Sequence, residues 1–178
     1  MTSSPSCLRL RRAIPADAPT ILRFVRELAE YERALHEVEA TLDSVTQSIF
    51  GEGSITQALI CERVCDAAPA GNEQSPGQAE PIGFAVWFFS YSTWLARNGL
   101  YLEDLYVTPE ARGAGAGRLM LRELARIAVA EGCGRFEWSV LDWNEPAIRA
   151  YNAIGAAPQR EWIRYRLDGQ ALKDFAEG

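Results

Sequence analysis

Histidine, cysteine and long apolar runs are scarce in this sequence, and each shortage excludes a class of protein. His36 is the one histidine among 178 residues, so we expect neither a histidine metal site nor a Ser-His-Asp triad. The four cysteines are scattered and complete no zinc set, so we expect free thiols in a reducing cytosol and no bound metal. No apolar run approaches the ~20 residues that a bilayer span needs, and the N-terminus lacks the apolar core of a secretory signal. The sequence therefore predicts a cytoplasmic protein without a membrane partner.

Positive charge is scarce as well. Lysine and arginine total 18 against 24 acidic residues, and the net charge of −6 argues against a nucleic-acid partner, because nucleic-acid binders usually carry a basic face. A negative balance instead suits a small cationic substrate. The apolar fraction of 48% is ordinary for a globular protein, and the length predicts a single domain over residues 1–178 with a buried core.

Hydrophobic periodicity predicts a mixed α/β chain. Strands are predicted at residues 8–13, 57–65, 81–91, 100–107, 135–141 and 162–167. Helices are predicted at residues 17–31, 41–50, 145–154 and 168–176 and after residue 117, with Asp17, Thr41 and Asn144 as N-caps. The first four strands are expected to pair mostly antiparallel, and a helical crossover joins the fourth to the fifth. Residues 66–80 are rich in Ala, Pro, Gly and Gln, which predicts a long flexible loop.

The segment Arg112–Gly117, RGAGAG, lies between the fourth predicted strand and an amphipathic helix. Unpaired N–H groups at a helix N-terminus and the positive end of the helix dipole favour a phosphate there. Neither of two well-known phosphate loops fits this segment. Counted from Gly113, the dinucleotide fingerprint would end on Arg118, and the chain has no Gly-Lys pair for a Walker loop. A glycine-rich turn without a ligand is the alternative.

Two adjacent acids, Glu103 and Asp104, lie inside the fourth predicted strand. Successive side chains of a regular strand point to opposite faces, so at most one of the two acids is expected to face a shared pocket. Which of them faces the pocket decides the candidate for acid–base chemistry.

The segment Arg112–Gly117 resembles the acyl-CoA pyrophosphate loop of the Gcn5-related N-acetyltransferase (GNAT) superfamily. Further stretches resemble the diamine acetyltransferases and their relatives, the thialysine acetyltransferases: ILRFVRELAEYE (21–32), YSTW (91–94), YLEDLYVTPEARGAGAG (101–117) and LDWNEPAIRAY (141–151). The resemblance covers roughly residues 8–162, apart from the 66–80 loop. It implies the GNAT fold, an α/β (α+β) domain with a mixed central sheet of about six to seven strands and helices on both faces. In that fold the fourth strand carries a bulge and splays from the fifth, and the family is dimeric, so we expect a homodimer.

The same resemblance implies acetyl-CoA as the co-substrate and no metal. Backbone groups of Leu105, Tyr106 and Val107 would pair with the pantetheine arm, and a free N–H there would face the thioester oxygen. Near the cofactor arm, the resemblance places Asn144, Ala147 and Tyr151, although Asn144 would alternatively serve as a helix cap alone. The pyrophosphate would be held by the glycine loop, residues Arg112, Gly113, Ala114, Gly115, Ala116, Gly117 and Arg118.

Two residues resemble the family's catalytic groups. Tyr151 matches the general acid that protonates the departing thiolate, since a phenol of pKa near ~10 serves a thiol of pKa near ~8.5. Glu103 matches the candidate base that takes a proton from the substrate ammonium, and the pleat favours it over Asp104. A purely structural acid at the bulge is the alternative for Glu103. The implied reaction is direct transfer of acetyl from acetyl-CoA to a primary amine in a ternary complex.

Acids and aromatics near the cleft are expected to recognise the cationic substrate. Ser92 stands where diamine acetyltransferases carry an acid, and residues 33–36 replace a denser acidic run. Both changes favour a thialysine- or lysine-like amino acid or a short diamine. A polyamine (spermidine or spermine) acetyltransferase and a non-catalytic acyl-CoA-binding regulatory module are the alternatives. The candidate substrate-binding residues are Tyr31, Glu32, Ser92, Trp94, Glu103 and Glu161.

Overall fold

The structure, a computed structural model, describes residues 7–64 and 79–178. Its strands are β1 (Cys7–Arg12), β2 (Gln57–Val64), β3 (Ala79–Ser92), β4 (Arg97–Val107) and β5 (Phe136–Trp138). Its helices are α1 (Ala18–Tyr31), α2 (Leu42–Phe50), α3 (Ala116–Ala130), α4 (Glu145–Ala153) and α5 (Gly169–Glu177). Short 3-10 turns occupy Pro15–Asp17, Leu35–Glu37 and Pro109–Ala111. None of the helices in these ranges is long and apolar enough to span a bilayer.

The strands form one sheet in the order β1-β2-β3-β4-β5. The first three pairings are antiparallel, and β4 pairs with β5 in parallel after the α3 crossover, as the sequence predicts. The described sheet has five strands instead of six to seven. Residues 162–167 are irregular and exposed, and the predicted strand at 135–141 shortens to three residues. A strand requires a neighbour for its ladder hydrogen bonds, and single-sequence periodicity does not reveal whether one is present.

Two compact units make up the chain, Met1–Ser139 and Val140–Gly178. The first contains the sheet with α1, α2 and α3, and the second contains α4 and α5. The single domain expected over residues 1–178 stays a prediction. The predicted loop at 66–80 lies outside the described residues except for 79 and 80, which begin β3.

The aromatic cluster of the first unit lies on the sheet face covered by α1 and α2, here called the α1 face. The Phe24 ring lies 5.7 Å from the centroids of both Phe84 and Tyr106, and all three side chains are buried. Helix α3 packs on the opposite face, where Gly117 comes close to the side chains of Leu105 and Val107. Each large side chain buried in this way contributes ~1.5–3 kcal/mol.

Strand β4 carries a bulge in its middle. Asp104 pairs with Val86 and Leu102 pairs with Trp87, so Glu103 is an extra residue without a partner on β3. A bulge interrupts the alternation of side chains, and Asp104 therefore lies on the α1 face with Tyr106, two residues further along. The prediction that the pleat sends Asp104 away from the pocket is wrong for this reason, whereas the role of Glu103 as the base stays a prediction. The parallel pairing with β5 also ends at Leu102, so β4 loses that neighbour at the bulge.

An ion-pair network joins the start of α1 to the sheet. Arg11 donates to both carboxylate oxygens of Asp17 at 2.6 and 2.7 Å and to Glu62 at 2.8 Å, and Arg9 also binds Glu62. Asp17 makes no capping bond to α1; its carboxylate accepts from the N–H of Ile14 instead. The prediction of Asp17 as a side-chain cap is therefore wrong, because a nearby arginine competes for the carboxylate. Thr41 does cap α2.

Candidate active site

The glycine loop follows β4 and leads directly into α3. Gly113 and Gly115 have φ of +81° and +89°, a left-handed backbone that glycine adopts without strain. A Cβ on either residue would meet no atom within 4 Å, so the loop presents open space. Gly115 is the N-cap of α3 and has no side chain to satisfy the N–H groups of the first turn. The loop is thus shaped for an anion that accepts from backbone donors.

Arg112, the first residue of the loop, turns back toward the end of α1. Its guanidinium carbon lies 4.8 Å from the ring centroid of Tyr31 and 5.9 Å from that of Tyr106. Its Nε donates to the carbonyl oxygen of Val107 at 3.2 Å. The side chain therefore links the predicted cofactor loop to the predicted substrate residue Tyr31, a contact that the sequence spacing does not reveal.

Three carboxylates lie near the bulge. Glu32 is the C-cap of α1, and Glu103 and Asp104 belong to β4. Burial, with the nearby charges of Glu103 and Glu32, raises the pKa of Asp104 to about 6. Burial also raises the pKa of Glu32. With a pKa of about 6, the Asp104 carboxylate is mostly ionised at neutral pH, attracts an ammonium group and is suited to accept a proton.

Asp104 is a candidate site residue that the sequence analysis did not predict. Regular alternation along the strand favours Glu103, but the bulge that the resemblance implies in the fourth strand interrupts this alternation. The described residues contain no group of three or more His, Cys, Asp or Glu side chains arranged to hold a metal.

Ser92 and Trp94 lie at the hairpin between β3 and β4. Ser92 is buried and its hydroxyl accepts from the N–H of Leu95 at 3.3 Å, while Trp94 is 86% exposed. Ser92 pairs with Arg97, seven residues before Asp104, which corresponds to roughly 23 Å along β4. Within the first unit, the structure does not bring these two predicted substrate residues to the carboxylates.

The remaining predicted residues belong to the second unit. Asn144 is the N-cap of α4 and accepts from the N–H of Ala147 at 3.4 Å, which confirms the capping role. Tyr151 is half-buried on α4, and Glu161 is exposed in an irregular segment. Their roles in cofactor binding, catalysis and substrate binding stay predictions.

Known proteins resemble this chain over most of its length. Residues 61–156, more than half of the chain, match the acetyltransferase (GNAT) family. The chain belongs to this family. The thialysine N-epsilon-acetyltransferase of Mus musculus is 36% identical to it over 171 residues, covering 94% of this chain and 96% of the relative. The spermidine/spermine N(1)-acetyltransferase-like protein 1 of Homo sapiens is 32% identical over 177 residues, covering 98% of this chain and 24% of that protein.

A solved structure supports the GNAT fold. An integron cassette protein from the mobile metagenome of V. cholerae superposes with a TM-score of 0.74 at 23% identity, covering 96% of this chain and 98% of the other. This GNAT chain is therefore an acyltransferase enzyme that acetylates amines, and acetyl-CoA is the co-substrate of the family.

The buried carboxylate of Asp104 is expected to reduce the stability of the fold when it is ionised. Because the folded pKa of Asp104 is raised to about 6, stability falls as pH rises from about 4 to about 6 and stays lower above that. Asp104→Asn should therefore raise Tm by about 3–6 °C at pH 7.5 and by nothing near pH 3.5. Calorimetry at both pH values checks this, with exposed Glu52→Gln as the control. A lower Tm for the Asn variant at pH 7.5 would contradict it.

Proposed function

We propose that this enzyme transfers acetyl from acetyl-CoA directly to the side-chain amine of a small lysine-like amino acid, such as thialysine. The observation that carries the proposal is the group of three carboxylates, Glu32, Glu103 and Asp104, beside the bulge where β4 loses its parallel partner. The name of the mouse relative supports the substrate class.

The chain has groups that suit acetyl-CoA. Among the described residues, β4 has no β5 partner beyond Leu102, so the backbone groups that face that side are available to the pantetheine arm. Leu105 and Val107 face it, with the Val107 carbonyl also accepting from Arg112, whereas Tyr106 pairs with Phe84 on β3 and would contact the arm from within the strand. The open loop around Gly113 and Gly115 would hold the pyrophosphate on backbone N–H groups. A backbone N–H near the bulge would stabilise the negative charge that develops on the thioester oxygen.

The acceptor nitrogen loses two protons in the reaction, and the departing sulfur gains one. The acceptor arrives as an ammonium of pKa near ~10.4, and the Glu103–Asp104 pair takes its proton, with exposed Glu103 in reach of water. The free amine attacks the thioester carbonyl, and the C–S bond breaks as the tetrahedral intermediate collapses. Tyr151 gives its proton to the departing sulfur, and the second proton lost by nitrogen restores the phenol. The products are the N-acetylated amine, CoA and one proton released to solvent.

A polyamine acetyltransferase is the second candidate. The similarity to the human spermidine/spermine acetyltransferase-like protein and the excess of acidic residues favour it. The higher identity to the thialysine acetyltransferase of Mus musculus, 36% against 32%, and this chain's nearly complete coverage of that relative favour the lysine-like acceptor over it. Homodimer assembly and a cytoplasmic location stay predictions from the sequence.

Thiol release from acetyl-CoA with a panel of amines tests the proposal. The panel holds thialysine, lysine, ornithine, putrescine, spermidine and spermine, and thermal shift by CoA is measured alongside. We expect thialysine or lysine to exceed spermidine at least tenfold in kcat/KM, a difference of ~1.4 kcal/mol in transition-state binding. A lead by spermidine would establish the second candidate instead. Stabilisation by CoA without turnover of any amine would favour the non-catalytic binding module.

A further inference from the structure

A second group of polar side chains, formed by Arg135 and Glu137, lies on the same sheet face as α1. Along β4 it lies before the bulge, whereas the carboxylates and α1 lie at and beyond it. Phe88 pairs with Tyr101, and Tyr101 lies opposite Glu137 on β5, so the three side chains share one face of the sheet. Phe88 follows Val86 by two residues on β3, and Val86 is the partner of Asp104. The face that carries the carboxylates therefore continues to Glu137 at the edge of the sheet.

Glu137 is held by an arginine. Arg135 Nε lies 2.7 Å from Glu137 Oε2, and the two side chains are 41% and 37% exposed. The arginine lies over Gly99, where a Cβ would come within 3.0 Å of Arg135 Cγ and 2.8 Å of Ser90 Oγ. Ser90 Oγ is itself buried without a hydrogen-bond partner among the described residues. The site thus combines a carboxylate, a guanidinium whose terminal NH₂ groups are not used by this ion pair, and a buried hydroxyl.

Two aromatic side chains, Phe88 and Tyr101, lie on the sheet face between the Arg135–Glu137 pair and the carboxylates. The rings of Phe88 and Tyr101 lie 5.3 Å apart and are half-buried, and the Tyr101 hydroxyl forms a 2.9 Å hydrogen bond with Ser139 Oγ. A half-exposed aromatic surface on one face suits the methylene or thioether chain of a ligand. The polar atoms therefore lie at the two ends of a largely apolar strip.

The distances match one class of acceptor. Tyr101 and Asp104 pair with Phe88 and Val86, which are two residues apart on β3, so they lie roughly 7 Å apart along the sheet because Glu103 is the extra residue of the bulge. The five bonds from the side-chain amine to the α-carbon of a lysine-like amino acid span about 6 Å, and the side chain of Glu137 shortens the remaining gap. An amine held at the carboxylates would place the α-amino acid head near Arg135 and Glu137.

We propose that Arg135 and Glu137 bind the α-carboxylate and the α-ammonium of the acceptor and so select a lysine-like amino acid over a polyamine. The proposal rests on the function proposed above. Arginine offers two parallel N–H donors that match a carboxylate, and Glu137 accepts from the neighbouring ammonium. A polyamine has no carboxylate, so it gains nothing from the N–H donors of Arg135, and its second ammonium has Glu137 alone as a partner. The pair would thus distinguish the two candidate substrates by charge.

The test compares two acceptors that share one chain. Thialysine and bis(2-aminoethyl) sulfide have the same aminoethylthio end, but the second lacks the α-carboxylate. We expect the wild type to prefer thialysine at least tenfold in kcat/KM. Arg135→Met should reduce that preference at least tenfold by raising KM for thialysine, with kcat and the kinetics on the sulfide diamine unchanged. Arg122→Met, which removes an exposed arginine on α3, is the matched control.

A second variant tests the other half of the pair. Glu137→Gln should raise KM for thialysine and leave the KM for Nα-acetylthialysine unchanged, because that acceptor has no α-ammonium. Tm and the Kd of CoA report whether each variant is folded, and if Arg135→Met does not fold, Glu137→Gln decides alone.

Three outcomes would overturn the proposal. Equal losses on both acceptors would make the pair structural, and an unmoved preference would make it an ordinary surface ion pair. In both cases the wild type still acetylates thialysine, so the proposed function survives. A wild type that acetylates no amine removes the proposed function, and this proposal with it.

Discussion

Tyr151→Phe is expected to lower kcat by about 100-fold and to leave the Kd of acetyl-CoA within twofold of the wild-type value. The variant keeps the aromatic ring of this half-buried residue on α4 and loses only the hydroxyl group. Without that proton the sulfur must leave as a thiolate, which is costly where water is excluded, whereas binding of the thioester does not depend on it. The expected loss corresponds to ~2.7 kcal/mol of transition-state stabilisation.

Single-turnover thiol release with thialysine measures this effect, and calorimetric titration with CoA measures binding. Tyr165→Phe is the matched control, because Tyr165 belongs to the same unit and is 91% exposed. We expect that control to retain full turnover. Normal CoA binding with undiminished turnover in Tyr151→Phe would remove the proton-donor role, and a parallel loss of binding and turnover would point to a packing role instead.

Apolar periodicity and capping residues predicted the amphipathic helices correctly, because each of these signals lies within the helix itself. The bounds of α1, α2 and α4 lie within about a residue or two of the predicted ones, because periodic apolar positions and the caps Thr41 and Asn144 mark them. The predicted strand at 162–167 failed, since alternation describes a strand only when a neighbouring strand completes its hydrogen bonds.

In the candidate site as well, features formed by contiguous residues were predictable, whereas features that depend on strand pairing were not. The glycine loop is contiguous in sequence, so its position between β4 and α3 was predictable, whereas the left-handed φ of Gly113 and Gly115 comes from the structure alone. The position of Asp104 depends on a one-residue shift in the pairing of β3 with β4, and the contact of Arg112 with Tyr31 depends on where α1 ends in space. The Arg135–Glu137 pair required the register of β5 against β4. Residue spacing along one strand does not encode such cross-strand information.

Arg11→Met should produce the largest loss of stability, about 3–5 kcal/mol of unfolding free energy. The hydrogen bonds from Arg11 hold the pKa of Asp17 below its usual range. Burial works to raise the pKa of Glu62, but hydrogen bonds from Arg11 and Arg9 outweigh it, and that pKa is lowered as well. The two side chains are only 9% and 5% exposed, so removal of Arg11 leaves Asp17 unpaired and Glu62 with Arg9 alone.

Urea unfolding followed by circular dichroism measures the loss, and its pH dependence identifies the cause. Carboxyls with lowered folded pKa values stabilise the fold above their unfolded pKa near ~4, and this contribution disappears as pH falls. The difference between Arg11→Met and the wild type should therefore be full at pH 7 and shrink below pH ~4. A difference that does not change with pH would assign the loss to packing of the arginine stem.

Two further variants distinguish the buried charges from the ion pairs as such. Arg9→Met removes a side chain that is 55% exposed and leaves Glu62 paired with Arg11, so we expect a loss of ~1 kcal/mol or less. Adding Asp17→Asn and Glu62→Gln to Arg11→Met should recover at least half of the lost stability, because no uncompensated buried charge remains. Equal losses for the two arginine variants would contradict this account. The network anchors the start of α1, the helix that ends at Tyr31 and Glu32, so a variant that loosens it should also raise KM for the amine.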